Sequence, residues 1–299
     1  MRYSESVLQS WTSPLSQTEE QRVENTVRMI REAVTSYFKL SDCSMSIFAQ
    51  GSYANNTNVR QNSDVDICIM STSTVFCNYV EGKTDKDYGY IPGTISFYDY
   101  KAYIIEALKN KFGAAAITIG NKCVNIKANS YHVNADVVPA FQYRDFKIIN
   151  SINPQKYIEG IKYLSSTGEQ VINYPKDHIE NGKQKNIDTN HEYKKLVRIM
   201  KHIRNEMVDK GIVNGDKITS FLIECLIWNL PNDIITNSNT WAGTVQKSIA
   251  YLWNKINDNQ HKEWGEVSER LYLFHSNRKW TAEETKSFLS DMYNFLQFG

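Results

Sequence analysis

Apolar residues recur along the chain with two periods, and the period changes near its middle. After Ser16 and Glu19, a capping-box pair, Val23, Val27, Ile30, Val34 and Tyr37 follow at helical spacing. They predict one long helix over about 17–40. The run MSIFAQ then predicts a strand, and the alternating DVDICIM a second one. EGKTDKDYGYIPG is a loop, and YDYKAYIIEALKNKFG is a helix stopped by Gly113. AAITIG, CVNIKA and YHVNADVVPAF predict three more strands. Residues 1–150 thus predict an α+β or α/β unit.

The remainder, 151–299, predicts a mostly helical domain. Leu196, Met200, Ile203 and Met207 share one helix face. ITSFLIECLIWNL reads as a buried helix ended by Pro231. Trp241, Val245, Ile249, Leu252 and Ile256 mark another helix, and Thr281 with Glu284 caps a last one. The polar stretch NYPKDHIENGKQKNIDTN reads as a long loop. No internal repeat or low-complexity tract interrupts the pattern.

Composition narrows the function. A formal net charge of +1 argues against long nucleic acid held by bulk electrostatics, though not against a local basic pocket. The five cysteines include no C-x-x-C pair and no zinc-finger spacing, so they read as free thiols in a reducing compartment. The N-terminus has no apolar core of a signal peptide, and the greasiest stretch is too short and too polar to span a bilayer. A soluble cytoplasmic protein with no membrane partner is the expectation.

The chemistry gathers in QGSYANNTNVRQNSDVDICIM. Residues two apart on a strand share a face, so Asp64 and Asp66 project together while Val65, Ile67 and Ile69 enter the core. Two like charges that close repel, and a divalent cation relieves the cost. Two metals can clamp the attacking and leaving oxygens of an in-line displacement, which calls for a third carboxylate from a neighbouring strand. Asp136, between apolar residues in HVNADVVPAF, is the best candidate, and Asp145 in the surface-like YRDFK a weaker one. Taken alone, the two aspartates read better as a solvent-facing strand end, because such short patterns are common. Gly51 and Ser52 sharpen the pattern, because exposed N–H groups at such a turn bind phosphate. The full signal is a strand, Gly-Ser, an eleven-residue spacer and a strand-borne D-x-D.

This run resembles the polymerase-β-like nucleotidyltransferases. With NADVVPAF, YKKLVRIMKHIRN and ITSFLIECL, it is more closely similar to the bacterial cGAS/DncV-like nucleotidyltransferases of the CdnE-like sort. The resemblance covers about residues 15–230; the last seventy match only as generic helices. It implies an α+β nucleotidyltransferase sheet with an N-terminal spine helix, a helical second domain, and a cleft between them. It implies that Asp64, Asp66 and Asp136 hold two Mg²⁺ ions, with Mn²⁺ able to substitute, and that Gln50, Gly51 and Ser52 grip the donor triphosphate. Lys201, Ser220 and Phe221 fall where relatives complete the donor pocket, as point charge, hydrogen-bond donor and base platform.

The residues themselves leave other readings open. Lys194, Arg198 and Lys201 share a helix face that could be a solvated stripe, Phe221 could be core, and Ser220 a helix cap. His132 is either near the cleft or structural. Asn173, offering both donor and acceptor, either reads a uracil edge or is an ordinary loop residue. The implied reaction joins ribonucleoside triphosphates (ATP and/or UTP, GTP or CTP) into a cyclic second messenger of antiphage signalling, with a regulatory protein partner in view. The alternatives are transfer to an RNA end, protein or small molecule, or a non-catalytic nucleotide sensor.

Overall fold

The computed structural model describes residues 1–14, 16–59, 64–276 and 278–298. The chain forms two compact units. One comprises Ser16–Tyr53 and Gln61–Lys176; the other comprises Met1–Leu15, Ala54–Arg60 and Asp177–Gly299.

The first unit is built on a mixed sheet. Its strands are β1 (Met45–Gln50), β2 (Val65–Asn78), β3 (Ile117–Ile119), β4 (Val124–Ile126), β5 (Ala135–Asp145), β6 (Ile158–Leu164) and β7 (Gln170–Asn173). Their order is β1-β2-β5-β4-β3, and β6 and β7 extend from the far end of β5. β2 and β5 run parallel, with Asp66 opposite Asp136, and β1 lies antiparallel to β2. Past Asp66, residues 67–70 of β2 are all buried, so the in-and-out alternation of DVDICIM holds only at its start. The spine helix α2 (Gln17–Thr35) begins at the expected Ser16/Glu19 capping box. It ends earlier than expected, where the Ser36 hydroxyl donates to the Glu32 carbonyl, and a single 3₁₀ turn follows at Phe38–Leu40. Ile30 and Val34 of this helix, with Tyr100, Ile104 and Leu108 of α4 (Phe97–Phe112), join Val65, Ile67 and Ile69 in one core.

The helical unit contains α1 (Glu5–Ser10), α6 (Glu192–Asp209), α7 (Ser220–Trp228), α8 (Asn232–Thr236), α9 (Trp241–Asn257) and α10 (Ala282–Leu296). The short helix α3 (Gly51–Ala54) and α5 (Pro175–Asp188) lie where the chain passes between units. The predicted apolar faces of α6 and α9 are buried as expected, and Thr281 with Glu284 caps α10.

Three expectations need correction. The sheet does not stop near residue 150, because β6 and β7 continue it to Asn173. The N-terminal residues pack in the helical unit, where Leu8 is fully buried. The stretch expected as a loop at 173–190 carries α5, opened by Pro175 at its first position. It buries His178 and Gly182, so its core face is polar or bare and leaves no hydrophobic period to read. Among the described residues no helix is long and apolar enough to cross a membrane.

The N-terminal segment acts as an external cap. Both Glu5 carboxylate oxygens accept from the first N–H groups of α9, those of Trp241 and Ala242. These N–H groups have no intrahelical acceptor, and a carboxylate also suits the positive end of the helix dipole. Glu5→Ala is therefore expected to destabilise the helical unit by about 1–2 kcal/mol, read as an earlier urea midpoint for the tryptophan-rich half, with the sheet unit unaffected.

Candidate active site

The sheet register builds a row of polar side chains across four strands. Gln50 of β1 stands opposite Asp66 of β2, which stands opposite Asp136 of β5, which stands opposite Asn125 of β4. Adjacent strands lie about 4.8 Å apart, so the two aspartates are next neighbours. Asp64 precedes β2 and is exposed, on the face to which Asp66 also points.

Gly51 closes one end of this row. Its φ of +66° lies in the left-handed region. A Cβ there would sit 2.1 Å from Asp66 Oδ2, so no side chain fits beside the carboxylate. Gly51 thus brings backbone against the aspartate, and Ser52, half-buried, follows on the first turn of α3.

The Asp136 carboxyl is perturbed. Burial raises its carboxyl above the ordinary value, and the Asp64 charge raises it further; donation by Asn125 opposes both. Asn125 Nδ2 donates to Asp136 Oδ1 and lies 3.5 Å from Cys123 Sγ. Burial first and Asp136 second push the Cys123 thiol up to about 12, so it stays protonated at neutral pH. Among the described residues no three His, Cys, Asp or Glu side chains are gathered into a ready ligand set. The donor chemistry nonetheless fits a hard divalent cation: adjacent strand carboxylates, one partly desolvated, with the charge of a third felt at the second. Asn125 and Cys123 were not singled out from the sequence. The signal available was a lone polar residue between Val124 and Ile126, at the position that register sets beside Asp136.

In the helical unit the lysine-arginine face of α6 is not a solvated stripe. Arg198 and Lys201 are buried, Lys201 to 2% exposure. Lys201 Nζ donates to Glu224 Oε2 at 2.7 Å and to Thr57 Oγ1 at 3.0 Å. Thr57 donates to the same Glu224 oxygen at 2.8 Å, and His178 Nε2 donates to the other at 3.0 Å. Burial would raise the Glu224 carboxyl, but Lys201 and His178 outweigh it and hold the group well below the usual carboxylate range. Lys194, one helical step along the same face, is half-buried and has no ion-pair partner among the described residues. Burial lowers its ammonium, as do the nearby Lys183 and Arg198 charges, against Glu224.

The other expected site residues are placed as follows. Ser220 is the first residue of α7, and Thr219 is the N-cap that accepts from Leu222 N. Phe221 is half-buried, its ring 5.7 Å from that of His178 and 6.1 Å from that of Trp280, with the Arg278 guanidinium 5.4 Å from its centroid. Asn173 ends β7, and its amide lies 3.5 Å from the Tyr163 hydroxyl. Asp145 is not on the surface: it is buried and accepts from Asn78, Ile148 N and Tyr174. His132 is structural, buried against Phe112 and bonded to the Val133 carbonyl.

A mixed sheet carrying Gly-Ser and paired aspartates defines a nucleotidyltransferase, and the nucleotidyltransferase domain family matches residues 27–120. A second family, the cGAS/DncV-like nucleotidyltransferase C-terminal helical domain, matches residues 180–297, well past the point where the sequence resemblance faded. The cyclic dipyrimidine nucleotide synthase CdnE of Cecembia lonarensis is 42% identical over 298 residues, covering 99% of each chain. The Elizabethkingia meningoseptica CdnE cyclic dinucleotide synthase, solved with GTP and Apcpp, superposes with a TM-score of 0.82 at 31% identity over 99% of this chain and 100% of that one. The Rhodothermus marinus CdnE c-UMP-AMP synthase, solved with Apcpp and Upnpp, gives 0.87 at 28% identity over 99% and 98%. The chain belongs to the cGAS/DncV-like nucleotidyltransferases, a family of enzymes that work with divalent metal ions.

Two outcomes follow from the geometry. Gly51→Ala forces either Asp66 or the turn to move, and is expected to lower kcat/KM at least ~100-fold while costing only about 1–2 kcal/mol of stability from the left-handed backbone; pyrophosphate release and thermal melting separate the two effects. Glu224 has a depressed folded-state value, so its stabilisation is complete above its ordinary 4.5 and is lost as pH falls below that. Glu224→Gln should therefore flatten the acid limb of the helical unit's stability between about pH 4.5 and 2, measured by urea titrations at stepped pH.

Proposed function

We propose that this enzyme joins two or more ribonucleoside triphosphates into a cyclic nucleotide. The observation that carries the reading is the register that sets Asp66 beside Asp136 under the Gly51 turn. The names of the relatives, all cyclic nucleotide synthases at 29–42% identity, support the ring-closing outcome.

A ribose hydroxyl of one nucleotide attacks the α-phosphorus of another. The new P–O bond forms as the bond to the β-phosphate oxygen breaks, and pyrophosphate leaves. Asp64, Asp66 and Asp136 would hold the divalent ions, Mg²⁺ by preference, which when bound polarise the phosphate and neutralise the leaving group. Asp136 helps to activate the hydroxyl, and Asn125, donating to its Oδ1, orients the carboxylate. Gln50, Gly51 and Ser52 hold the donor triphosphate through backbone N–H groups and the serine hydroxyl. Ser220 adds a hydroxyl, and Phe221 presents the ring against which the donor base lies. Lys201 supplies the cation, the role that its position on α6 implies. A second transfer on the bound linear intermediate closes the ring.

The product contains a pyrimidine. The 42%-identical relative is named a dipyrimidine synthase. Asn173, with donor and acceptor on one amide, can pair with the uracil edge.

The test incubates the purified protein with the four ribonucleoside triphosphates and Mg²⁺, beside Asp64→Ala/Asp66→Ala. A phosphatase-resistant product, seen by mass spectrometry and absent from the double variant, is expected, with a mass showing at least one uridylate or cytidylate unit. Asn173→Ala should shift the product toward purines by about tenfold, the scale of one or two lost hydrogen bonds. A linear product only, or none, would overturn ring closure.

A further inference from the structure

Asn173 ends β7 opposite Ile161 of β6, and Tyr163 lies two residues along β6 on the same face. Tyr163 is 7% exposed, and its hydroxyl accepts an N–H of the Asn173 amide at 3.5 Å. The amide oxygen, Oδ1, accepts nothing among the described residues and stays open.

The backbone behind this amide is held as closely. A Cβ on Gly160 would lie 2.9 Å from the Asn173 carbonyl oxygen and 3.1 Å from the Tyr174 ring, so only glycine lets the end of β7 settle there. Tyr174 is buried and donates its hydroxyl to Asp145 Oδ2 at 3.2 Å. Asp145 also accepts from Asn78 Nδ2 on both oxygens and from Ile148 N. One carboxylate thus ties together the end of β2, the end of β5 and the residue after β7. All of these residues belong to the sheet unit. Asp145 is 3% exposed, and these donors are neutral. A carboxylate buried without a cation is costly, so stability alone gives little reason for it. A fixed end for β7 gives one.

A fixed amide can tell one pyrimidine from the other. Along its pairing edge uracil presents an acceptor, O4, and then a donor, N3–H. Cytosine presents a donor, the N4 amine, and then an acceptor, N3. An asparagine amide meets either pattern, because a half-turn about its last bond exchanges oxygen and nitrogen. An amide free to turn therefore accepts both bases, whereas one whose nitrogen is held matches one.

We propose that Tyr163 is a positioning residue that holds the Asn173 amide in one orientation, and that Asp145, through Tyr174, holds the backbone beneath it, so that the enzyme takes uracil in preference to cytosine. The assignment rests on the reading of Asn173 given above and deepens it.

The purified enzyme is given Mg²⁺ and ATP with equal amounts of UTP and CTP. Product masses, with kcat/KM for each pyrimidine, measure the discrimination. Uridylate is expected to predominate with the unmodified protein. Tyr163→Phe keeps the ring and removes the acceptor, and should lower the UTP-over-CTP ratio about fivefold, the scale of one neutral hydrogen bond, with purine content level. Tyr174→Phe releases the whole end of β7 and should instead raise purine content about threefold, a weaker form of Asn173→Ala. A purely structural role would lower activity with every triphosphate alike and leave both ratios unmoved; thermal melting reports that loss separately. Level ratios in the two tyrosine variants beside a shifted Asn173→Ala would overturn the proposal and leave the reading of Asn173 standing. Equal use of UTP and CTP by the unmodified protein would overturn it as well. A level Asn173→Ala would overturn the reading, and the proposal with it. Calorimetric binding of UTP and CTP reads the same change of ratio without turnover, and so decides the matter even if no ring forms.

Discussion

The parallel pairing of β2 with β5 is the constraint on which the site depends. Its register sets Asp66 against Asp136. Side chains alternate along a strand, so a slip of one residue would replace Asp136 with Ala135 or Val137 and turn the aspartate to the other face. The pairing is defended on both sides of the pair. Val65, Ile67 and Ile69 are fully buried on β2, and Val137 on β5, so a slip would also bring charge into the core. The apolar residues around the aspartates are thus part of the chemistry, because they make the wrong register too costly to adopt.

The two units solve the problem of buried charge differently. In the sheet unit the aspartates stay partly open, and Asn125 contributes one hydrogen bond to a carboxylate whose proton affinity burial has raised. In the helical unit Glu224 is sealed, and every contact it makes favours its ionised form. The first arrangement leaves a carboxylate able to take a proton. The second leaves one that never does at neutral pH, which suits a fixed strut.

Much of this was readable in the sequence, for identifiable reasons. The capping boxes at Ser16 and Thr281 and the apolar faces of α6 and α9 are local, and they appear where the pattern put them. The Asp64, Asp66 and Asp136 set was visible because charge inside an apolar run is conspicuous. Helix α5 was hidden because its buried face is His178 and Gly182. β6 was hidden because Gly160 breaks the alternation that Ile161, Lys162 and Tyr163 otherwise keep, and β7 because it is only four residues long. The burial of Lys201 was hidden for a different reason: a lysine every turn looks the same whether it meets water or a carboxylate on the next helix. Glu224, alone in the apolar SFLIECLIW, was the available clue, since a carboxylate there requires a partner.

The interleaving of the units has a consequence for the order of synthesis. The sheet unit is complete in sequence once Lys176 has been made, whereas Glu5 and Leu8 belong to a unit that extends to the last residues. Domains fold broadly as they emerge from the ribosome, so the sheet can close while the N-terminal segment still waits for α9. Segment 54–59 waits as well, tethered at both ends to finished strands, until residue 224 arrives. A chain released early would hold correctly paired aspartates while Thr57 still lacks the carboxylate it donates to, so a truncated product is expected to fold only in part.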